Sequence, residues 1–190
     1  MMGLASRIKQ LCCVTFRIKK YEFLSDCKRV FGKPNLFYPL LLKGNGKIYF
    51  GKNVQIGVVS SPYFFSGYTY IEARNENSEI NIGNNVAINN AFSIVCFSKV
   101  TIKDHVLIGV NCSIIDNDGH DLNSTKRNQE NPNSLPVCIG ENVFIGSNVS
   151  ILKGVEIGDN SIIGNGSVVT KNIPKNVVAA GNPAKVMRNL

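Results

Sequence analysis

No apolar run in this sequence approaches the ~20 residues needed to cross a bilayer, which argues against a membrane-spanning helix. The start, MMGLASRIKQLCCVTFRIKK, is too interrupted by charge to read as a secretory leader, so a cytoplasmic protein is expected. Histidine is scarce: His105 and His120 are the only two, too few for a catalytic zinc held by three imidazoles. The six cysteines (Cys12, Cys13, Cys27, Cys96, Cys112, Cys138) form no CxxC pair and no metal-ligand spacing, and no metal is expected. Cys96 and Cys112 read as small apolar fillers, reduced in the cytosol. Charged residues are also few, 18% against 44% hydrophobic, a balance that suits one globular core rather than a disordered chain.

The charge that is present is unevenly placed. Residues 1–33 hold eight Lys/Arg against Glu22 and Asp26, so six of the eight net positive charges sit there. A nucleic-acid binder would more often spread basic residues over its folded face with aromatics among them; this chain does not, and no nucleic-acid partner is expected. Leu4, Ile8, Leu11 and Ile18 would line one face of an N-terminal helix, with Lys9, Arg17 and Lys20 opposite. Three roles are open for the segment. It could cap the first coil of the repeat described next, make peripheral contact with an anionic membrane surface at the inner face of the membrane, or sit against a neighbouring subunit. The cap reading comes first.

A beat of six residues dominates the rest of the chain. Ile139, Ile145, Ile151, Ile157, Ile163 and Val169 are evenly spaced, with Gly or another small residue following most of them. Val143, Val149, Val155, Ser161, Ser167 and Ile173 come four places after each. The beat recurs at Ile82, Ile88 and Ile94, slips by two, and resumes at Ile102, Ile108 and Ile114. Six matches neither the helical period of 3.6 nor the strand period of 2. It fits a short strand and a turn, repeated, with Gly, Asn and Asp supplying the turns. Three hexads close a triangular coil, and stacked coils pair their strands in parallel. The expected layout is an N-terminal helical and basic segment with lead-in over 1–47 and a solenoid over 48–190. The solenoid would be broken by a loop at 116–137 and closed by a cap at 175–190.

The loop opens with IIDNDGHDL (114–122). His120 among aspartates could be a catalyst, a metal ligand or a polar loop residue. A calcium loop starting at Asp116 would need Gly where Asp121 stands and Glu where Arg127 stands, so that reading fails. Asp116 or Asp118 could accept the second imidazole N–H and fix its tautomer; both could equally be turn formers. Arg127 reads first as a solvated loop charge, and His105 as a solvated turn residue. The aromatic insertion SPYFFSGYTY (61–70) could be filler or a platform for sugar faces.

YIEAR (70–74), INIGNNVAINN (80–90), IIDNDGH (114–120) and the long run VFIGSNVSILKGVEIGDNSIIGNGSVVTKNIPKNVVAAGNPAKV (143–186) resemble the hexapeptide-repeat acyltransferases, above all the maltose, galactoside and polysaccharide O-acetyltransferase branch. The resemblance implies an all-β fold, a left-handed parallel β-helix with a short N-terminal helical segment and a C-terminal cap, assembled as a homotrimer with sites between solenoids. It implies acetyl-CoA as co-substrate and His120 as the general base that deprotonates a hydroxyl. Imidazole suits that task because its ordinary titration lies near ~6.5, and such a base contributes ~10²–10⁴-fold. It further implies that Asn89, with Asn90 as competitor, holds the acceptor, and that the Ser147 N–H stabilises the oxyanion. Asn165, Thr170, Lys171 and Arg188 would lie along the CoA arm, the two cations meeting its phosphates. Phe144 stands where many relatives carry Trp, and Asn165 where many carry Ala.

The function so expected is acetyl transfer to a sugar hydroxyl of a glycan acceptor, in surface polysaccharide (capsule or O-antigen) or glycolipid synthesis. N-acetylation of an amino-sugar nucleotide is the alternative enzyme, and a non-catalytic solenoid scaffold the alternative outside enzymes.

Overall fold

The computed structural model describes residues 11–128 and 133–190. The expected helix positions Leu4 and Ile8 lie outside them. A single π-helical turn, Leu11–Thr15, leads into helix α1, Phe16–Leu24. Six coils of short strands follow. They are β1 (Val30–Phe31), β2 (Asn35–Leu36) and β3 (Leu40–Lys43); β4 (Lys47–Phe50), β5 (Gln55–Ile56) and β6 (Thr69–Ala73); β7 (Glu79–Ile82), β8 (Ala87–Ile88) and β9 (Ser93–Cys96). The upper coils are β10 (Lys99–Ile102), β11 (Leu107–Ile108) and β12 (Ser113–Ile115); β13 (Val137–Ile139), β14 (Phe144–Ile145) and β15 (Ser150–Ile151); β16 (Glu156–Ile157), β17 (Ile162–Ile163) and β18 (Val168–Val169). β19 (Val177–Gly181) and β20 (Ala184–Asn189) close the chain.

Each coil gives one strand to each of three sheets. The first sheet runs β1-β4-β7-β10-β13-β16, the second β2-β5-β8-β11-β14-β17-β19-β20, and the third β3-β6-β9-β12-β15-β18. All pairings are parallel except β19 with β20, and the fold is the left-handed parallel β-helix. The six-residue beat places Ile139, Ile145, Ile151, Ile157, Ile163 and Val169 in the interior, each at most 1% exposed. Loss of one such side chain to alanine costs on the order of 2–5 kcal/mol. Ser161 and Ser167 interrupt the aliphatic filling and are fully buried. Their hydroxyls donate to the Pro174 and Gly164 carbonyls and accept from the Val177 and Gly181 N–H groups, which ties the closing segment to the last coil.

The solenoid starts earlier than the sequence suggests: β1 to β3 already form a coil within the stretch expected to be lead-in. Gly32 stands opposite Phe50, where the coil above is filled, and a Cβ there would lie 2.0 Å from the Phe50 carbonyl oxygen. The missing side chain, and a step of four residues rather than six from Gly32 to Leu36, hide the beat.

Helix α1 lies along the open edge of β3. Ser25, at its end, accepts from the Leu42 N–H, and Tyr21 stacks on Tyr68 at 4.4 Å. Arg17 does not face solvent as expected. Its guanidinium reaches the carbonyls of Phe64 (3.0 Å) and Gly67 in the aromatic insertion and lies 5.7 Å from the Tyr38 ring.

Candidate functional site

The loop bearing His120 leaves the corner between the third and first sheets. Its neck is nailed down by Asp116, which is fully buried. That carboxylate accepts from the Phe97 N–H (2.7 Å), the Ser98 N–H (2.7 Å) and the Ser98 hydroxyl (2.9 Å). Burial, with the Asp116 charge beside it, pushes the Cys96 thiol well up, so Cys96 stays a neutral filler. Across the neck, Leu135 N–H donates to the Asp116 carbonyl at 2.8 Å. Asp118 pairs with Lys153 of the coil above, the two side chains only 16% and 20% exposed. Lys153 also lies 3.5 Å from the Asn133 carbonyl.

Neither aspartate hydrogen-bonds to His120, so of the two readings left open for them the base–carboxylate pair is not formed here. Asp116 is consumed by backbone donors and Asp118 by Lys153. The imidazole Nδ1 instead lies 3.0 Å from the Arg127 carbonyl oxygen. A carbonyl only accepts, so in the neutral ring Nδ1 carries the hydrogen and Nε2 keeps its lone pair. Gly119, at φ +73°, makes the reversal that sends His120 outward, where it is exposed. The part of Arg127 that matters is its backbone, which no sequence pattern advertises.

Asn89 lies elsewhere, on the corner between the second and third sheets, and is half-buried. Its Oδ1 accepts the Asn90 N–H at 2.7 Å, which leaves its amide NH₂ as the outward donor. Asn90 is fully buried and spent. It accepts from the Val58 N–H and donates to the Val58 and Pro62 carbonyls, clamping the root of the aromatic insertion. Of the two asparagines, Asn89 is the one with capacity to spare.

Ser147 and Asn165 share that corner, one and two coils above Val110. The Ser147 N–H does not stand ready for an oxyanion: it donates to Asn165 Oδ1 at 2.8 Å. The same cap recurs where Asn84 takes the Lys52 N–H, Asp159 the Glu141 N–H and Asn172 the Glu156 N–H. Asn165 therefore acts here as a turn cap.

Thr170 and Lys171 stand on the His120 corner, both exposed, with Lys171 one coil beyond Lys153. Arg188 is exposed on β20 opposite Val178 at the end of the second sheet. The candidate residues thus divide between two corners: His120, Asp118, Thr170 and Lys171 on one, Asn89, Ser147 and Asn165 on the other. His105 is a turn residue at φ +61° whose Nδ1 lies 3.5 Å from Glu141. Among the described residues, no three His, Cys, Asp or Glu side chains cluster as metal ligands, and no helix is long and apolar enough to cross a membrane.

The family model described as "Hexapeptide repeat of succinyl-transferase" matches residues 136–171. The chain is 49% identical over 113 residues to the galactoside O-acetyltransferase of Escherichia coli (strain K12), covering 60% of this chain and 55% of that one. A maltose O-acetyltransferase structure from Clostridium difficile 630 superposes with TM-score 0.57 at 30% identity, covering 85% of this chain and 69% of that one. A galactoside acetyltransferase in complex with coenzyme A superposes with TM-score 0.58 at 42% identity, covering 72% and 64%. The chain spans about half the length of the curated relatives it matches.

Proposed function

Because the chain belongs to the hexapeptide-repeat acyltransferases, with galactoside and maltose O-acetyltransferases among its relatives, we propose that it transfers an acetyl group from acetyl-CoA to a sugar hydroxyl. The setting we propose is surface-polysaccharide or glycolipid synthesis, in the cytoplasm. The observation that carries the reading is the His120–Arg127 hydrogen bond. It sets the tautomer of the neutral ring, with the hydrogen on Nδ1, and leaves the Nε2 lone pair without a partner, which is what a general base requires.

In the proposed reaction Nε2 takes the hydroxyl proton as the oxygen attacks the thioester carbonyl. The C–S bond then breaks, and the imidazolium returns its proton to the departing CoA sulfur. No covalent enzyme intermediate is needed. The Asn89 NH₂ holds an acceptor oxygen, and Lys171 and Arg188, both unburied, offer charge to CoA phosphates. Stabilisation of the oxyanion by Ser147 requires Asn165 to swing off its N–H. A homotrimer is part of the proposal. It is supported by an outward ladder on the second sheet, where Leu107 and Phe144 remain 50% and 46% exposed and Ile162 and Val178 continue the row.

The test is His120→Ala in the full chain. Acetyl transfer to a panel of sugars should fall at least 10²-fold, with CoA binding by calorimetry unchanged. Full transfer by that variant would sink the assignment. Lability of the product to mild base separates an ester from the amide of the N-acetyl alternative.

A further inference from the structure

We propose that the N-terminal end of the solenoid is a docking surface for an anionic membrane. Helix α1 turns Arg17, Ile18 and Tyr21 toward the solenoid and leaves its other side bare. On that side Phe16 is 72% exposed and Phe23 is 88% exposed. They are seven residues apart and so share a face, with Lys19 and Lys20 between them. Leu24 is half exposed next to Phe23. Phe31 and Phe37 of the first coil are exposed at the same end. Between helix and coil opens a cavity of about 220 Å³ lined by Val30, Leu36, Leu40 and Leu42. Gly32 also borders it.

Charge selects the occupant. Glu22 and Asp26 are the only acidic residues within 1–33, and both are already paired, Glu22 with Lys19 at 2.7 Å and Asp26 with Lys43. Among the described residues, Lys20, Lys28 and Lys33 have no carboxylate partner. Exposed rings set among unneutralised ammonium groups match the boundary of an anionic bilayer. There the rings enter the acyl region and the long lysine stems keep their charges with the head groups. A second copy of this end would set positive charge against positive charge.

The geometry also gives a reach. His120's loop leaves the fourth coil, three strand spacings from the first, or roughly 14 Å at ~4.8 Å each. A sugar carried on a lipid falls within that span; this last step rests on the proposed acetyl transfer, whereas the docking itself does not.

The test is flotation of the full chain with vesicles of phosphatidylcholine alone, or with a third of the lipid replaced by phosphatidylglycerol, at low and high salt. Binding is expected on the anionic vesicles only and should weaken with salt. Phe16→Ser with Phe23→Ser should lower the partition at least ~10-fold. Lys20→Gln and Lys28→Gln should each lower it about 5-fold. These side chains are exposed, so circular dichroism and melting temperature should match the parent chain. No flotation on anionic vesicles overturns the proposal, and so does a partition that the phenylalanine pair does not change. Concentration-dependent self-association that this pair abolishes, without vesicle binding, would make the occupant a second copy and the proposal wrong. None of these readouts involves acetyl transfer, so failure here leaves the proposed activity standing.

Discussion

Removing the Lys153 ammonium should loosen the neck of the loop that presents His120. The Asp118–Lys153 pair joins that neck to the coil above, with side chains 16% and 20% exposed. Exposed pairs contribute ~0–1 kcal/mol, whereas breaking a buried one costs ~3–5 kcal/mol because a charge is left without a partner. A pair about four-fifths buried falls between, so Lys153→Met, which keeps most of the stem, should cost about 2 kcal/mol. Asp118→Asn should cost about the same. Each substitution breaks the same contact, so the double variant should cost little more than either alone, a coupling of about 1.5 kcal/mol. If the loosened loop is inactive, 2 kcal/mol lowers kcat by up to ~30-fold, while CoA affinity holds. Urea unfolding of the four chains gives the coupling, and steady-state acetyl transfer gives the kcat. Additive costs, with coupling under ~0.5 kcal/mol, would refute the pair as a latch.

Asp116 should matter more for stability than Asp118. Its replacement by alanine strands the partly buried N–H groups of Phe97 and Ser98 and should cost about 3 kcal/mol in chemical unfolding, with asparagine costing roughly half; a loss under ~1 kcal/mol for the alanine variant refutes that account. Ala91 holds φ +59° at a place where the coils above use Asn111, Asn148 and Gly166. Ala91→Gly should therefore gain about 0.5 kcal/mol, the relief of strain outweighing the added freedom of the unfolded chain, read as a raised melting temperature. Hydrogen bonds from Asn84 hold Asp104 below the usual carboxylate range, and Asn81 with Lys99 do the same for Glu79. Folded values below unfolded ones mean that this stability is complete above about pH 4 and is lost as pH falls through the lowered values. A urea midpoint that stays flat from pH 5 to about pH 3 would refute it.

The solenoid was legible wherever one aliphatic residue filled each inward place, as from Ile139 to Val169. The slip of two after Ile94 has a local cause: Phe97 and Ser98 lengthen the corner to meet the Asp116 carboxylate. The first coil was not legible, because Gly32 holds one place without a side chain and the next, Leu36, follows after four residues rather than six. At the candidate site the residue types were readable, but their partners were not. Arg127 and Val58 act through main-chain groups, which carry no residue signature. Lys153 and Asp118 stand 35 residues apart with the loop between them, a separation the six-residue beat does not register. The resemblance places Asn165 along the CoA arm, and no sequence pattern shows that its Oδ1 accepts the Ser147 N–H.

The division of the candidate residues between two corners has a consequence for assembly. His120 leaves the chain after β12 of the third sheet, and Asn89 after β8 of the second, so the width of the third sheet separates their corners. Three or four residues at ~3.3 Å make that roughly 10–13 Å, against the ~3 Å over which a base and a positioning amide share one hydroxyl. If both act on one acceptor, the two groups come from different copies of the chain. Mixing two inactive variants then becomes informative. In the proposed trimer, the His120→Ala and Asn89→Ala variants taken separately each lack one group at every site. Subunits exchanged at random from equal amounts would pair an intact His120 with an intact neighbouring Asn89 at about one site in four. Activity should return to about a quarter of the parent level, measured as CoA release after co-refolding. Should both groups serve one acceptor from within the same chain, no site in the mixture would hold the pair and no activity would return.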